Sequence, residues 1–128
     1  MRWLKILVVV NGLAFLAYTV SNIFMPSSFF VPSDAPGYAL DAVRAVGLGY
    51  LPLGLIQLGA WWMSDRFALR LIAGASLVYA AGFALLALMA GSGSSDPFHS
   101  LGVVIAAGWA VVAVLYAFLL YRERSGAA

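Results

Sequence analysis

The sequence predicts an all-α integral membrane protein, a single four-helix bundle over residues 1–128 with both termini on the cytoplasmic side. Three observations carry this. Hydrophobic residues make up 64% of the chain and charged residues 9%, whereas a soluble domain carries roughly half and a quarter. Four apolar runs contain no Asp, Glu, Lys, Arg or His, and each reaches about 30 Å as a helix. Six of the seven Lys and Arg residues fall on one side of those runs, the asymmetry that marks cytoplasmic loops.

The first run is Ile6 to Phe24, preceded by Arg2, Trp3 and Lys5. It has no clear A-x-A cleavage site and reads as a retained span rather than a signal peptide. The second is Ala45 to Met63, extending outward as helix to Tyr38, with Asp34 as N-cap and Pro36 in the first turn. The third is Leu71 to Ala90. The fourth, Ser100 to Tyr121, is preceded by Asp96 and Pro97, a cap followed by a first-turn proline. The predicted spans are therefore about 4–24, 38–63, 67–90 and 97–121. Uninterrupted stretches such as LIAGASLVYAAGFALLALMA show none of the alternation of a membrane β-strand.

Arg2, Lys5, Arg66, Arg70, Arg122 and Arg124 lie on the side of the termini and the tight 64–67 turn, and Arg44 alone lies on the other. The expected location is the bacterial cytoplasmic (inner) membrane. Trp3, Trp61, Trp62, Phe67 and Tyr121 fall at the inner boundary, and Phe24, Tyr38 and Phe98 at the outer one, as interfacial aromatic belts require.

Helices in lipid pack through small residues. The expected stripes are Gly102, Ala106, Ala110, Ala113 and Ala117 in the fourth span and Ala73, Ser76, Ala80, Ala84 and Ala87 in the third. The second offers Ala45 and Gly49, and the first Ala14, Ala17 and Ser21. These either pack the bundle internally or, where one faces outward, dock another subunit. Nothing repeats between the second and fourth spans.

Chemistry is excluded more readily than assigned. Without cysteine there is no thiol redox chemistry or thiolate metal site. The basic residues are too few and scattered for nucleic acid. The first span offers only Asn11 where a small multidrug exporter needs a glutamate, and one histidine cannot ligate a haem iron on both faces. No nucleophile and base can be assembled within the spans, so no enzyme, catalytic residue or metal site is expected, and no cofactor is assigned. His99 could ligate a porphyrin or chlorin metal or form an interfacial hydrogen bond. Asp41 and Arg44 read as an exposed pair. Pro52, between Gly49 and Gly54, predicts a kink. Phe29, Phe30 and Val31 form an apolar outer loop that lies among headgroups or docks a partner. Asn11, Gln57, Ser76 and Tyr116 each sit about 8 to 9 Å inside the inner boundary, which predicts a polar layer fixing helix register or, alternatively, a ligand site.

The stretch RAVGLGYLPLGLIQLGAWW, residues 44–62, resembles uncharacterised small bacterial four-span membrane proteins, DoxX-like in layout. That resemblance implies a fold and no catalytic residue. Two functions follow as expectations. One is a non-catalytic accessory or structural subunit of a larger membrane assembly, its partners being membrane lipids and other integral subunits. The other is a small binding or transport protein for an apolar ligand such as a lipid, quinone or carotenoid.

Overall fold

The computed structural model describes residues 1–27, 34–91 and 97–125, with side chains from 90 to 102 left undescribed. It is all-helical among these residues: α1 (Arg2–Phe24), α2 (Gly37–Gly59), α3 (Arg66–Gly91) and α4 (Pro97–Arg124). Each helix is long and apolar enough to cross a membrane. The chain divides into two compact units, Ile6–Trp62 and Met1–Lys5 with Met63–Ala128.

Helix boundaries follow local chemistry. Pro36, not Asp34, occupies the N-cap of α2, and no side chain caps it. Its carbonyl accepts from Ala39 N at 2.9 Å and Leu40 N at 3.4 Å. Because proline has no N–H of its own and a φ preset near −65°, it opens the helix without a carboxylate. At the other end α2 stops at Gly59, short of the expected Met63. Ala60, Trp61 and Trp62 close it with bonds to the carbonyls three residues back, at 3.1 to 3.2 Å, the tightened last turn that satisfies orphan carbonyls. The start of α3 is fixed by Asp65, whose Oδ1 accepts from Phe67 N at 2.8 Å and Ala68 N at 3.4 Å. This is an N-cap. Pro97 is the first residue of α4; the cap expected at Asp96 lies outside the described residues.

In the first unit α1 and α2 run antiparallel, with early α1 against late α2. The closest approach is made by glycines. A Cβ on Gly12 would lie 2.9 Å from Gln57 Cβ and 3.0 Å from the carbonyl oxygen of Gly54. One on Gly54 would lie 2.9 Å from Leu16 Cδ2, and one on Gly47 2.7 Å from Asn22 Cβ. Only glycine permits such backbone contact. Phe15 stacks on Tyr50 with ring centroids 5.4 Å apart, and Tyr18 tilts against the same ring.

These contacts correct the expected stripes. At 100° per residue, Gly47 and Gly54 share one face of α2 while Ala45 and Gly49 lie nearly opposite. Both of the latter are exposed, and a Cβ on Gly49 would meet nothing within 4 Å. On α1 the buried line is Val8, Asn11, Gly12, Phe15 and Thr19, and Ala17 is exposed. Contact through the smallest residue, glycine, orients each helix, so Ala17 and Ala45 are carried round to the exposed side while Ala14 stays half-buried.

In the second unit α3 packs along α4. Leu69, Ala73, Ser76 and Ala80 are buried on α3, and Ala106, Trp109, Ala113 and Tyr116 on α4. Ala110 and Ala117 are exposed, so the α4 line alternates small with aromatic residues instead of being uniformly small. Trp109 meets Tyr79 edge-on at 5.6 Å and Phe83 at 5.5 Å.

Candidate functional site

All four side chains of the expected polar layer are buried: Asn11 at 4% exposure, Gln57 at 5%, Ser76 at 3% and Tyr116 at 0%. Their helices differ in how they treat them. Ser76 Oγ donates to the Ile72 carbonyl at 2.8 Å, and the buried Thr19 hydroxyl donates to the Phe15 carbonyl at 3.0 Å. Such bonds to the preceding turn satisfy a hydroxyl inside its own helix. The Asn11 amide nitrogen finds no such outlet. Asn11 Nδ2 is buried and no protein acceptor engages it. Asn11 precedes Gly12, which faces Gln57 and Gly54, so both amides flank one of the tight glycine contacts in the first unit. A buried amide donor without an acceptor costs about 1–3 kcal/mol. It can donate one or two hydrogen bonds to an oxygen and can do no acid–base work.

A second polar centre lies in the other unit, and sequence reasoning missed it. The amino group of Met1 ion-pairs with Glu123 Oε1, while Arg70 Nη2 donates to the Glu123 backbone carbonyl at 2.8 Å. These contacts bring the chain's start, the first turns of α3 and the last turn of α4 to one end. Arg66, Arg122, Arg70 and Lys5 all act on the Met1 amine. Burial first, and these cations second, hold that amine below its ordinary range despite the Glu123 carboxylate. The Nε–H of Arg70 is buried with no acceptor. The sequence signal was present but unspecific: one glutamate between Arg122 and Arg124, which periodicity cannot pair with a residue more than a hundred positions away.

The remaining candidates are placed as follows. Asp41 and Arg44 form an exposed pair at 2.8 Å. Pro52 is exposed, and α2 continues through it. His99 lies in the first turn of α4, but its side chain falls outside the described residues, as do Phe29, Phe30 and Val31. No group of three or more His, Cys, Asp or Glu that could hold a metal occurs among the described residues. No protein-family model, curated protein or solved structure matches the chain.

Proposed function

We propose that the chain is a non-catalytic accessory or structural subunit of a larger assembly in the bacterial cytoplasmic membrane, with both termini cytoplasmic. The observation that carries this reading is the outward face of α2. That helix buries Gly47, Gly54 and Gln57 and turns Ala45 and Gly49 away from its own unit. A small-xxx-small pair in lipid allows close helix approach and supplies little dispersion energy to acyl chains. Its outward placement therefore suits another helix. The six-to-one distribution of Lys and Arg supports the sidedness.

The test is Gly49→Leu. A side chain there meets nothing within 4 Å, so the variant should fold with unchanged helix content. In mild detergent, partner subunits that co-purify stoichiometrically with the wild type should be lost. Retention of the same partners would overturn the reading.

One observation favours the alternative, a binding or transport protein for an apolar ligand. Asn11 Nδ2 is a buried donor in want of an acceptor, and a quinone or carotenoid carbonyl is such a group. Asn11→Leu separates the two. A subunit should keep its partners and gain stability, whereas a ligand binder should lose its bound molecule from the organic extract.

A further inference from the structure

We propose that the outward face of α2 seats a transmembrane helix of another subunit that carries a side-chain hydrogen-bond donor at the level of Pro52, bonded to the Leu48 carbonyl. This rests on the subunit reading and names the chemistry that the neighbouring helix brings.

Proline has no N–H, so at position 52 it cannot donate to the carbonyl four residues back, that of Leu48. Pro52 lies inside the apolar run Ala45 to Met63, about 10 Å or more from either end of it. Water is absent at such a depth and acyl chains carry no donor, so a freed backbone oxygen there must be satisfied by other means. Membrane helices use a Ser or Thr of the same helix, a local change of helical pitch, a trapped water or a neighbouring helix. α2 contains no Ser or Thr. It is α-helical without a break from Gly37 to Gly59. A trapped water needs two or more polar partners, and the side chains around this carbonyl, those of Ala45, Leu48, Pro52 and Leu55, supply none.

A neighbouring helix is left, and α1 is on the wrong side, against Gly47, Gly54 and Gln57. At 100° per residue, Leu48 and Pro52 sit about 40° apart on the side away from Gly47 and Gly54, and both are exposed. The carbonyl therefore opens onto the face that carries Ala45 and Gly49. A Cβ on Gly49 would meet nothing within 4 Å, so a second backbone can come close enough there for a short side chain to reach the oxygen. Whatever covers this face must approach closely and bring a donor. A lipid chain brings none. A second copy docked α2 on α2 in the same orientation brings Ala45, Leu48, Gly49, Pro52 and Leu55 to that level, again without a side-chain donor, and leaves two carbonyls to satisfy in place of one. A helix bearing a hydroxyl or amide among small residues meets both needs.

The test reconstitutes the full chain in phosphatidylcholine vesicles with a synthetic transmembrane peptide, a leucine helix bearing alanines four apart on one face and a single central serine. The control peptide has alanine in place of that serine. Association is read by energy transfer between labels on chain and peptide, and the Leu48 carbonyl is followed by its carbon-13 resonance. The serine peptide should associate about threefold tighter than the control, the typical worth of one interhelical hydrogen bond in lipid, and it alone should move the Leu48 signal. Pro52→Ala returns an N–H to that carbonyl and should erase the preference. Gly49→Leu should weaken both peptides alike. If Gly49→Leu leaves both associations unchanged, the face is no docking surface, and the subunit reading falls together with this proposal. Docking that Gly49→Leu abolishes, but that shows no preference for serine, leaves the subunit reading standing and overturns the proposal alone. A serine preference that survives Pro52→Ala puts the donor's acceptor elsewhere and overturns it too. Should Pro52→Ala straighten the helix and abolish docking of both peptides, the Leu48 signal of the unaltered chain decides, and a signal that the serine peptide does not move overturns the proposal.

Discussion

At the scale of single residues, glycines decide the geometry and amides carry the unresolved polarity. A Cβ at Gly12 has no room: Gln57 Cβ, Gly54 O and Leu58 N all lie within 3.1 Å of it. The neighbours are backbone and Cβ atoms that cannot swing aside. Gly12→Ala should cost about 1–3 kcal/mol in reversible unfolding, and Gly49→Ala, facing open space, should stay within about 0.5 kcal/mol. Similar losses at both positions would refute the close crossing. Asn11 and Gln57 flank that crossing, and if they form part of a register-fixing layer their alanine double-mutant cycle should show a coupling of about 0.5–2 kcal/mol. Additive effects would leave them energetically separate. The Met1 amine offers a pH test. Its folded pKa lies below the ordinary 8.0, so the folded state binds fewer protons than the unfolded one in the window just under that value. Stability should therefore rise as pH climbs through this window. Blocking the amine by acetylation should abolish that slope.

At the scale of elements, the spans were legible because hydrophobic length and flanking charge are local properties of sequence. The starts of α1 and α3 fall within two residues of the expected positions and α1 ends at Phe24 as expected, while the opening of α4 at Pro97 was marked by its proline. Caps were less legible. Asp34 has the right chemistry two residues ahead of Pro36, yet proline's fixed φ opened the helix without it. Asp65 sits in an ordinary-looking turn and does the capping. Asp65→Ala should cost about 0.5–2 kcal/mol and Asp65→Asn far less, measured by unfolding in mixed micelles. Equal losses would show that the charge, not the acceptor, matters. Helix faces were the least legible. Ala45 and Gly49, Ala14 and Ala17, and Ala110 and Ala117 all have suitable spacing, but spacing does not say which way a helix turns. That is decided by the one or two sites of tightest contact, here Gly12, Gly47 and Gly54, and by large buried rings such as Phe15, Trp109 and Tyr116. When every face is apolar, hydrophobic periodicity no longer marks the buried side.

At the scale of the whole molecule, charge asymmetry and contact geometry agree on which parts lie together. Met1, Arg70 and Glu123 meet at one end of α3 and α4. Arg2, Lys5 and Arg66 are sequence neighbours of these groups, and Arg122 and Arg124 flank Glu123. All six cations counted for the inner side therefore belong to that end, with Arg44 remote in sequence and paired to Asp41. A six-to-one excess of Lys and Arg on one side is the bias that orients short-looped membrane proteins, so the proposed orientation makes definite labelling predictions. Single cysteines at Ser64 and Ser125 should be blocked only by reagents that cross the cytoplasmic membrane, and one at Ser94 should be blocked by an impermeant maleimide applied to intact cells. The background is clean because the chain has no cysteine of its own. Replacing Arg66 and Arg70 with Gln removes two votes yet leaves four against one, and the labelling pattern should persist. Adding three lysines beside Ser94 while making those replacements evens the count at four each and should produce a mixed population. Labelling of Ser64 and Ser94 from the same face in the unmodified background would overturn the four-span topology itself, since an even number of crossings cannot separate the termini and an odd number must separate these two turns.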